Sequence, residues 1–404
     1  MASDSAPHFL TLPPEIREQV YHLLLNPDAS RLSHPDEYTD YNYRNALVLF
    51  RLNRQIYYEA RKVFRDLNIF VRIQTPFPNA QDYVAFEGHV PILMKGQPAA
   101  RFQGQSLNVV IGAPDTPIQE AEPNYIVILL DDLDKFAKIW LYSDLTNPGL
   151  NRFLSLELDM RDPYTPDWEE KRMPKWVQRQ LLMPFGDVKN LKSLTIKGDP
   201  KPLASIETEL RAQQQIPYPT AEQCLSECAR LKTEGNKELT AGNYHTALRL
   251  YAQAWEAMFI IVKGRQRHVH AEAYFSRELH DEPYKGRHGQ AERLQLRVQL
   301  VANTCLAYLK LEDWEELIFW GMRTIGMMQQ ATGANEHDIS PEDEAMLGFP
   351  AAVQLGKIYY RTAMGYKALG VKDQAKKLLR VAKVYLPRDE NVSRELAEFT
   401  LKLG

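Results

Sequence analysis

Leu231-Lys232-Thr233-Glu234-Gly235-Asn236-Lys237-Glu238-Leu239-Thr240-Ala241-Gly242-Asn243-Tyr244 is the stretch on which the fold turns, followed by Ala247, Tyr251 and Ala254. It places small residues at helix crossings, an aromatic residue at the turn and a small residue in the second helix. Gly235 and Ala247 let two antiparallel helices approach closely, and Tyr251 fills the wedge between them. The pattern returns in Asn303-Thr304-Cys305-Leu306-Ala307-Tyr308-Leu309-Lys310-Leu311-Glu312-Asp313-Trp314, with Leu317 at the position of Ala247. It returns again in Tyr359-Tyr360-Arg361-Thr362-Ala363-Met364-Gly365-Tyr366-Lys367-Ala368-Leu369-Gly370, followed by Ala375, Ala382 and a terminating Pro387.

These three copies resemble tetratricopeptide repeats (TPR), which implies an all-α superhelix over residues 221–404. An amphipathic helix from about Glu390 to Leu403 would cap its open end. Gly235, Cys305 and Ala363 occupy equivalent positions, and both intervals between them exceed the ~34 residues of one repeat. Each interval therefore carries an insertion. The first is expected to hold a long helix, Thr246 to about Lys263, and then a basic, His-containing loop to Gln290. The second contains Ser340-Pro341-Glu342-Asp343, an N-cap, a proline at N1 and acids in the first turn. Pro350 is expected to start the third repeat.

In tetratricopeptide domains that bind chaperone C-termini, the first helix of the first repeat carries Lys-x-x-x-Asn. The second repeat carries an Asn and the third Lys-x-x-x-Arg. This sequence has Lys232 and Asn236, then Asn303, then Lys357 and Arg361. The resemblance implies a clamp for the Glu-Glu-Val-Asp tails of heat-shock chaperones. The residue chemistry agrees with it. A C-terminal Asp presents two carboxylates, and residues four apart on a helix share a face. Arg supplies a planar fork, Lys a point charge and Asn a neutral, directional donor.

Toward the N-terminus, Pro200, Pro202, Pro217 and Pro219 mark an expected linker, 201–220, on either side of a short helix from Leu203 to Gln214. Residues 68–200 mix strand-like segments (68–74, 90–94, 106–111, 125–130, 153–158 and 191–196) with helices over 131–142 and 174–182. This section reads as an α+β domain. Before it, Leu12, Ile16, Val20 and Leu24 form one apolar stripe on a helix from Pro13 to Leu25, and Leu47 to Asp66 reads as a second long helix. Leu12-Pro13-Pro14-Glu15-Ile16-Arg17 together with Leu52-Asn53-Arg54-Gln55-Ile56-Tyr57 resembles the helices of fungal F-box-like proteins, covering residues 1–67. That resemblance implies docking of Leu12, Pro13, Ile16, Val20 and Leu24 on the adaptor subunit of a cullin ubiquitin ligase. The fold class expected for the whole chain is multidomain α+β: F-box-like helices, a mixed α/β region and a TPR superhelix.

The 404 residues carry a net charge of −3, and the pI of about 6.4 argues against bulk nucleic-acid binding. The longest apolar run, Tyr125 to Leu130, is far short of the ~20 residues of a membrane span. The start, Met1 to Pro7, lacks the basic and apolar regions of a signal peptide. Three cysteines are too few for a disulfide framework, so a reducing compartment, cytoplasm or nucleus, is expected. Cys224 and Cys228 lie one helical turn apart without a second ligand pair, and His268, His270, His280 and His288 fall in a stretch expected to be a solvated loop. Lys263-Gly264-Arg265-Gln266-Arg267 reads the same way. Asp131, Asp132 and Asp134 complement a helix start. Asp159, Asp162, Asp167, Glu169 and Glu170 form an acidic loop. No phosphate loop, nucleophile elbow or metal-binding His-Glu-x-x-His occurs. The expectation is a non-enzymatic adaptor with no metal, cofactor or catalytic residues.

Overall fold

Strict alternation of apolar and polar side chains makes Gln105–Gly112 a strand, with Leu107, Val109 and Ile111 on the buried face. It lies inside the sheet that organises the first half of the molecule. The computed structural model describes residues 9–33, 39–117, 122–332 and 340–401. Residues 1–8, 34–38, 118–121 and 402–404, and residues 333–339 of the second insertion, lie outside them. The chain divides into two units, Met1–Tyr218 and Pro219–Gly404.

In the first unit, α1 (Pro14–Leu25) and α2 (Arg54–Leu67) precede a mixed six-stranded sheet. Its strands are β1 (Phe70–Thr75), β2 (Met94–Lys95), β3 (Gln105–Gly112), β4 (Asn124–Leu129), β5 (Ser155–Arg161) and β6 (Ser193–Asp199). Their order is β2-β4-β1-β3-β5-β6. β1 runs parallel to β3 and β5 parallel to β6, and the other neighbours are antiparallel. Helix α3 (Leu133–Thr146) buries Leu133, Phe136, Ile139, Trp140 and Leu145, and α4 (Lys175–Leu182) buries Val177, Leu181 and Leu182. The fold is a mixed α+β unit followed by a helical one.

Three sequence expectations change in this unit. Leu47–Asp66 is a 3-10 segment, Ala46–Arg51, and then α2, because Asn53 caps α2: its Oδ1 accepts from the Ile56 amide at 2.9 Å. The strand expected over 90–94 shrinks to Met94–Lys95, since Pro91 has no amide to give a ladder. The stretch 201–220 is not a free linker through Tyr218. Helix α5 (Ala204–Gln215) buries Ile206 and Leu210, and the Tyr218 hydroxyl donates to Asp144 at 3.1 Å.

In α1 the structure shows which face is covered. The apolar stripe faces outward: Ile16 is 42% and Leu24 47% exposed, with Leu12 and Val20 half-buried and Pro13 exposed. The inward face is Arg17, Tyr21 and Leu25, packed on Ile56, Ala60 and Val63 of α2. Arg17 reaches Glu59 with two bonds, Nε to Oε2 at 2.9 Å and NH2 to Oε1 at 2.6 Å. The Tyr21 hydroxyl donates to Glu59 Oε2 at 2.9 Å. This network, with Arg17 first, holds the Glu59 carboxyl down at about 2.

The second unit is built on helix pairs. α6 (Ala221–Thr240) packs on α7 (Tyr244–Ala257), α8 (Gly289–Leu311) on α9 (Trp314–Thr332), and α10 (Ala352–Ala368) on α11 (Lys372–Tyr385). α12 (Glu390–Leu401) follows and packs on α11. A capping box starts α6: Thr220 Oγ1 accepts from the Gln223 amide and Gln223 Oε1 from the Thr220 amide. At Gly235 a Cβ would stand 2.5 Å from the Tyr251 ring, so the α6–α7 crossing needs the missing side chain. Lys367 of α10 pairs with Glu395 and Glu398 of α12.

The first insertion departs from expectation. The helix after Tyr244 ends at Ala257, where Met258 is non-helical and Phe259 turns left-handed (φ 56°). A hairpin follows, β7 (Ile260–Lys263) and β8 (Gln266–Val269), turning at Gly264 with φ 53°. Its β-branched Ile-Ile-Val run favours the strand. The stretch expected to be a solvated loop is therefore ordered: His270 is buried and its ring stacks with that of His268. The short helix expected after Ser340 spans Pro341–Glu344. Glu344 is buried and accepts from Tyr359 at 2.7 Å and from Gln329 at 2.8 Å. The helix expected to start at Pro350 starts at Ala352.

Candidate functional site

Helices α6, α8 and α10 each supply part of one polar patch. Lys232 and Asn236 lie one turn apart on α6, and Asn303 is on α8. Asn303 Nδ2 donates to Asn236 Oδ1 at 2.6 Å, and the Tyr251 hydroxyl donates to the same oxygen at 2.9 Å. With its oxygen taken twice, Asn236 keeps Nδ2 as a donor without an acceptor among the described residues. Lys232 donates from Nζ to Gln299 Oε1, a neutral acceptor one turn before Asn303. Arg361 on α10 donates to the carbonyl of Ala302, next to Asn303.

The structure thus ties Asn236 to Asn303, holds Lys232 on the same helix α8, and brings Arg361 to the residue beside Asn303. The fifth sequence-selected residue, Lys357, lies one turn before Arg361, exposed and with no hydrogen bond or ion pair among the described residues. None of the three cations meets a carboxylate among the described residues. Burial is the main cause that lowers the pKa of Lys232 and of Arg361. Both sit where an anionic partner would be favourable, because desolvated charge without a counter-ion is unfavourable.

Two residues and one further role escaped the sequence reading. Gln299 precedes Asn303 by one turn, so extending the polar face of α8 backward would have found it. Tyr251 fills the helix wedge as expected and also orients Asn236. The Ala302 carbonyl has no side-chain signal. The thiols play no part in an anion site: burial pushes Cys224, Cys228 and Cys305 up to about 12, so all stay protonated at neutral pH. Among the described residues no group of three His, Cys, Asp or Glu residues could hold a metal ion. None of the described helices is long and apolar enough to cross a membrane.

The acidic runs are placed in the first unit. Asp132 is buried and bound by Lys135 at 2.5 Å, Tyr41 at 3.0 Å and Arg31 at 3.5 Å, a structural cluster at the start of α3. Asp162 accepts from the amides of Tyr164 and Thr165, and Asp167 pairs with Lys171. Comparison with protein-family models, with curated proteins and with solved structures found no match for this chain.

Proposed function

We propose that this chain is a non-enzymatic adaptor whose helix pairs form a tetratricopeptide-type clamp for the C-terminal carboxylate of an acidic peptide, the Glu-Glu-Val-Asp tail of a heat-shock chaperone. One observation carries the reading. Lys232, Asn236, Asn303 and Arg361, chosen from three separate helices, converge on one patch of donors that no carboxylate among the described residues neutralises. Lys357 adds an exposed third charge one turn away. Charge-assisted bonds are worth roughly 1.5–3 kcal/mol each. Several together, less the cost of ordering the peptide, suit an affinity near ~1 μM. Calorimetry on the full chain with a peptide ending in Glu-Glu-Val-Asp tests it. Binding is expected to vanish when the peptide is amidated at its C-terminus. Equal binding of free and amidated peptides would sink the clamp.

A second reading, an F-box-type substrate receptor for a cullin ubiquitin ligase, is favoured by the outward stripe of α1. Ile16, Leu23 and Leu24 stand exposed while Arg17, Tyr21 and Leu25 serve the core. The stripe is therefore not needed to hold the helix in place. Co-purification with the ligase adaptor, lost on Ile16→Asp, tests this reading. The two activities are compatible in one chain, which would bring chaperone-held clients to a ligase.

A further inference from the structure

We propose that Arg267, Arg297 and Arg323 form a second anion site, one that takes a phosphate-bearing ligand. The three side chains come from β8, α8 and α9 and line a cavity of about 370 Å³, with no acidic residue in its wall among the described residues. They belong to residues of the first insertion and its neighbours, not to the Lys232–Arg361 patch.

Each arginine is held, yet each has donors to spare. The Arg267 guanidinium stacks on Trp255 at 4.5 Å and Trp320 at 5.0 Å, which fixes its plane. Its Nε is buried and has no acceptor. Arg297 Nε is likewise buried without an acceptor. Arg323 is exposed and gives NH1 to the Arg265 carbonyl at 2.6 Å, leaving the rest of its fork open. Glu272 acts on Arg297 electrostatically but forms no ion pair with it. Nearby Arg293 also has Nε and NH1 buried without an acceptor, but its NH2 group donates to the carbonyls of Met258, His270 and Phe259. Arg267 and Arg297 hold no such carbonyls.

Three guanidiniums around one cavity repel one another. Burial first, and then their neighbours' charge, lowers Arg267, and burial lowers Arg297 and Arg323. An anion relieves both effects. Phosphate suits the donors best: it carries close to two negative charges and three strong acceptor oxygens, and guanidinium forks match it in pairs. The cavity exceeds what one phosphate fills and falls in the size range of small-molecule sites, roughly 300–1,000 Å³. The ligand is accordingly a phosphate ester or polyphosphate, free or as a lipid headgroup.

Titration of the whole chain with inorganic pyrophosphate, followed by calorimetry, tests the site. Pyrophosphate is expected to bind, and Arg297→Gln and Arg323→Gln are each expected to weaken it about tenfold or more. Arg323 is exposed, so its variant keeps the fold even where Arg297→Gln does not, and thermal melts confirm this. Arg323→Lys should restore part of the affinity. Lys357→Ala, in the other patch, should leave pyrophosphate binding unchanged. Co-sedimentation with vesicles carrying a phosphoinositide assigns the lipid source; pyrophosphate binding without co-sedimentation assigns a free ligand. The proposal is overturned by no binding up to about 1 mM. It is also overturned if Arg323→Gln leaves the affinity intact, or if Lys357→Ala removes it.

Discussion

Arg17 and Arg361 are both largely buried arginines on helices, and they are treated in opposite ways. Arg17 in the first unit is answered by Glu59, a carboxylate 42 residues away that also takes the Tyr21 hydroxyl. Arg361 in the second unit meets only a backbone carbonyl. Lys232 meets only a neutral amide, and Lys357 meets nothing among the described residues. A buried pair that satisfies itself holds a fold together. A buried cation left unanswered is unfavourable in the free protein, and a ligand that answers it gains what the protein lost. Arg17 therefore serves the architecture of the first unit, and under the proposed function Lys232, Lys357 and Arg361 of the second are the cations a partner would answer.

The sharpest way to break this contrast is the double variant Lys232→Ala with Arg361→Ala. It is expected to weaken binding of a free Glu-Glu-Val-Asp peptide more than ~100-fold by calorimetry. Unchanged affinity would show that the cations have no ligand. Next in size is Gly235→Ala, where the new methyl meets the Tyr251 ring; chemical denaturation should show a loss of about 1–3 kcal/mol. Because Tyr251 orients Asn236, peptide affinity should fall with it. Lys357→Ala should weaken the peptide roughly tenfold and leave the denaturation midpoint alone, since the side chain is exposed and holds nothing.

The same contrast has a pH signature with opposite signs. Glu59 is depressed to about 2, so its contribution to stability is complete above its ordinary value. It is lost as the pH falls from there through about 2, and Glu59→Gln should flatten that part of an acid-denaturation profile. Lys232 is also lowered, but it is a cation, so its charge disappears as the pH rises through a value below the usual lysine range. Peptide affinity should therefore decline on the alkaline side earlier than an ordinary lysine would make it, and Lys232→Arg should remove that early decline. Ile16→Asp is also expected to change stability little, within about 0.5 kcal/mol, because Ile16 lies on the outward face of α1. A large loss there would place the stripe in the core after all.

Much of this architecture was legible in the residues. Alternation located β3 and β5, and the small residues Gly235 and Ala247 with Tyr251 located the first helix crossing, because side-chain volume limits how closely two helices can pass. The four clustered residues of the polar patch were legible for the same reason: each recurring position is tied to a helix face. The direction of α1 was not. Periodicity at Leu12, Ile16, Val20 and Leu24 defines a face but not what covers it, and Arg17 looks like a surface residue until Glu59 is beside it. The hairpin Ile260–Val269 hid in a stretch whose charges suggested solvent, although Trp255 and Trp320 were waiting to stack on Arg267. The helix Ala204–Gln215 was expected from the residues, but the flanking prolines made the stretch read as a linker, and its buried Ile206 and Leu210 were not foreseen.

The sequence by itself determined the local elements, the helix pairs and the spacing that puts Lys232 with Asn236 and Lys357 with Arg361. Those follow from short-range rules: backbone sterics, side-chain period and caps. Only the tertiary structure decided which polar groups meet. Asn236 meets Asn303 and Tyr251, Arg17 meets Glu59, and Arg267 lies between two tryptophans. Such pairings join residues far apart in the chain, and their energies depend on burial and on the absence of a competing partner, which no local pattern encodes.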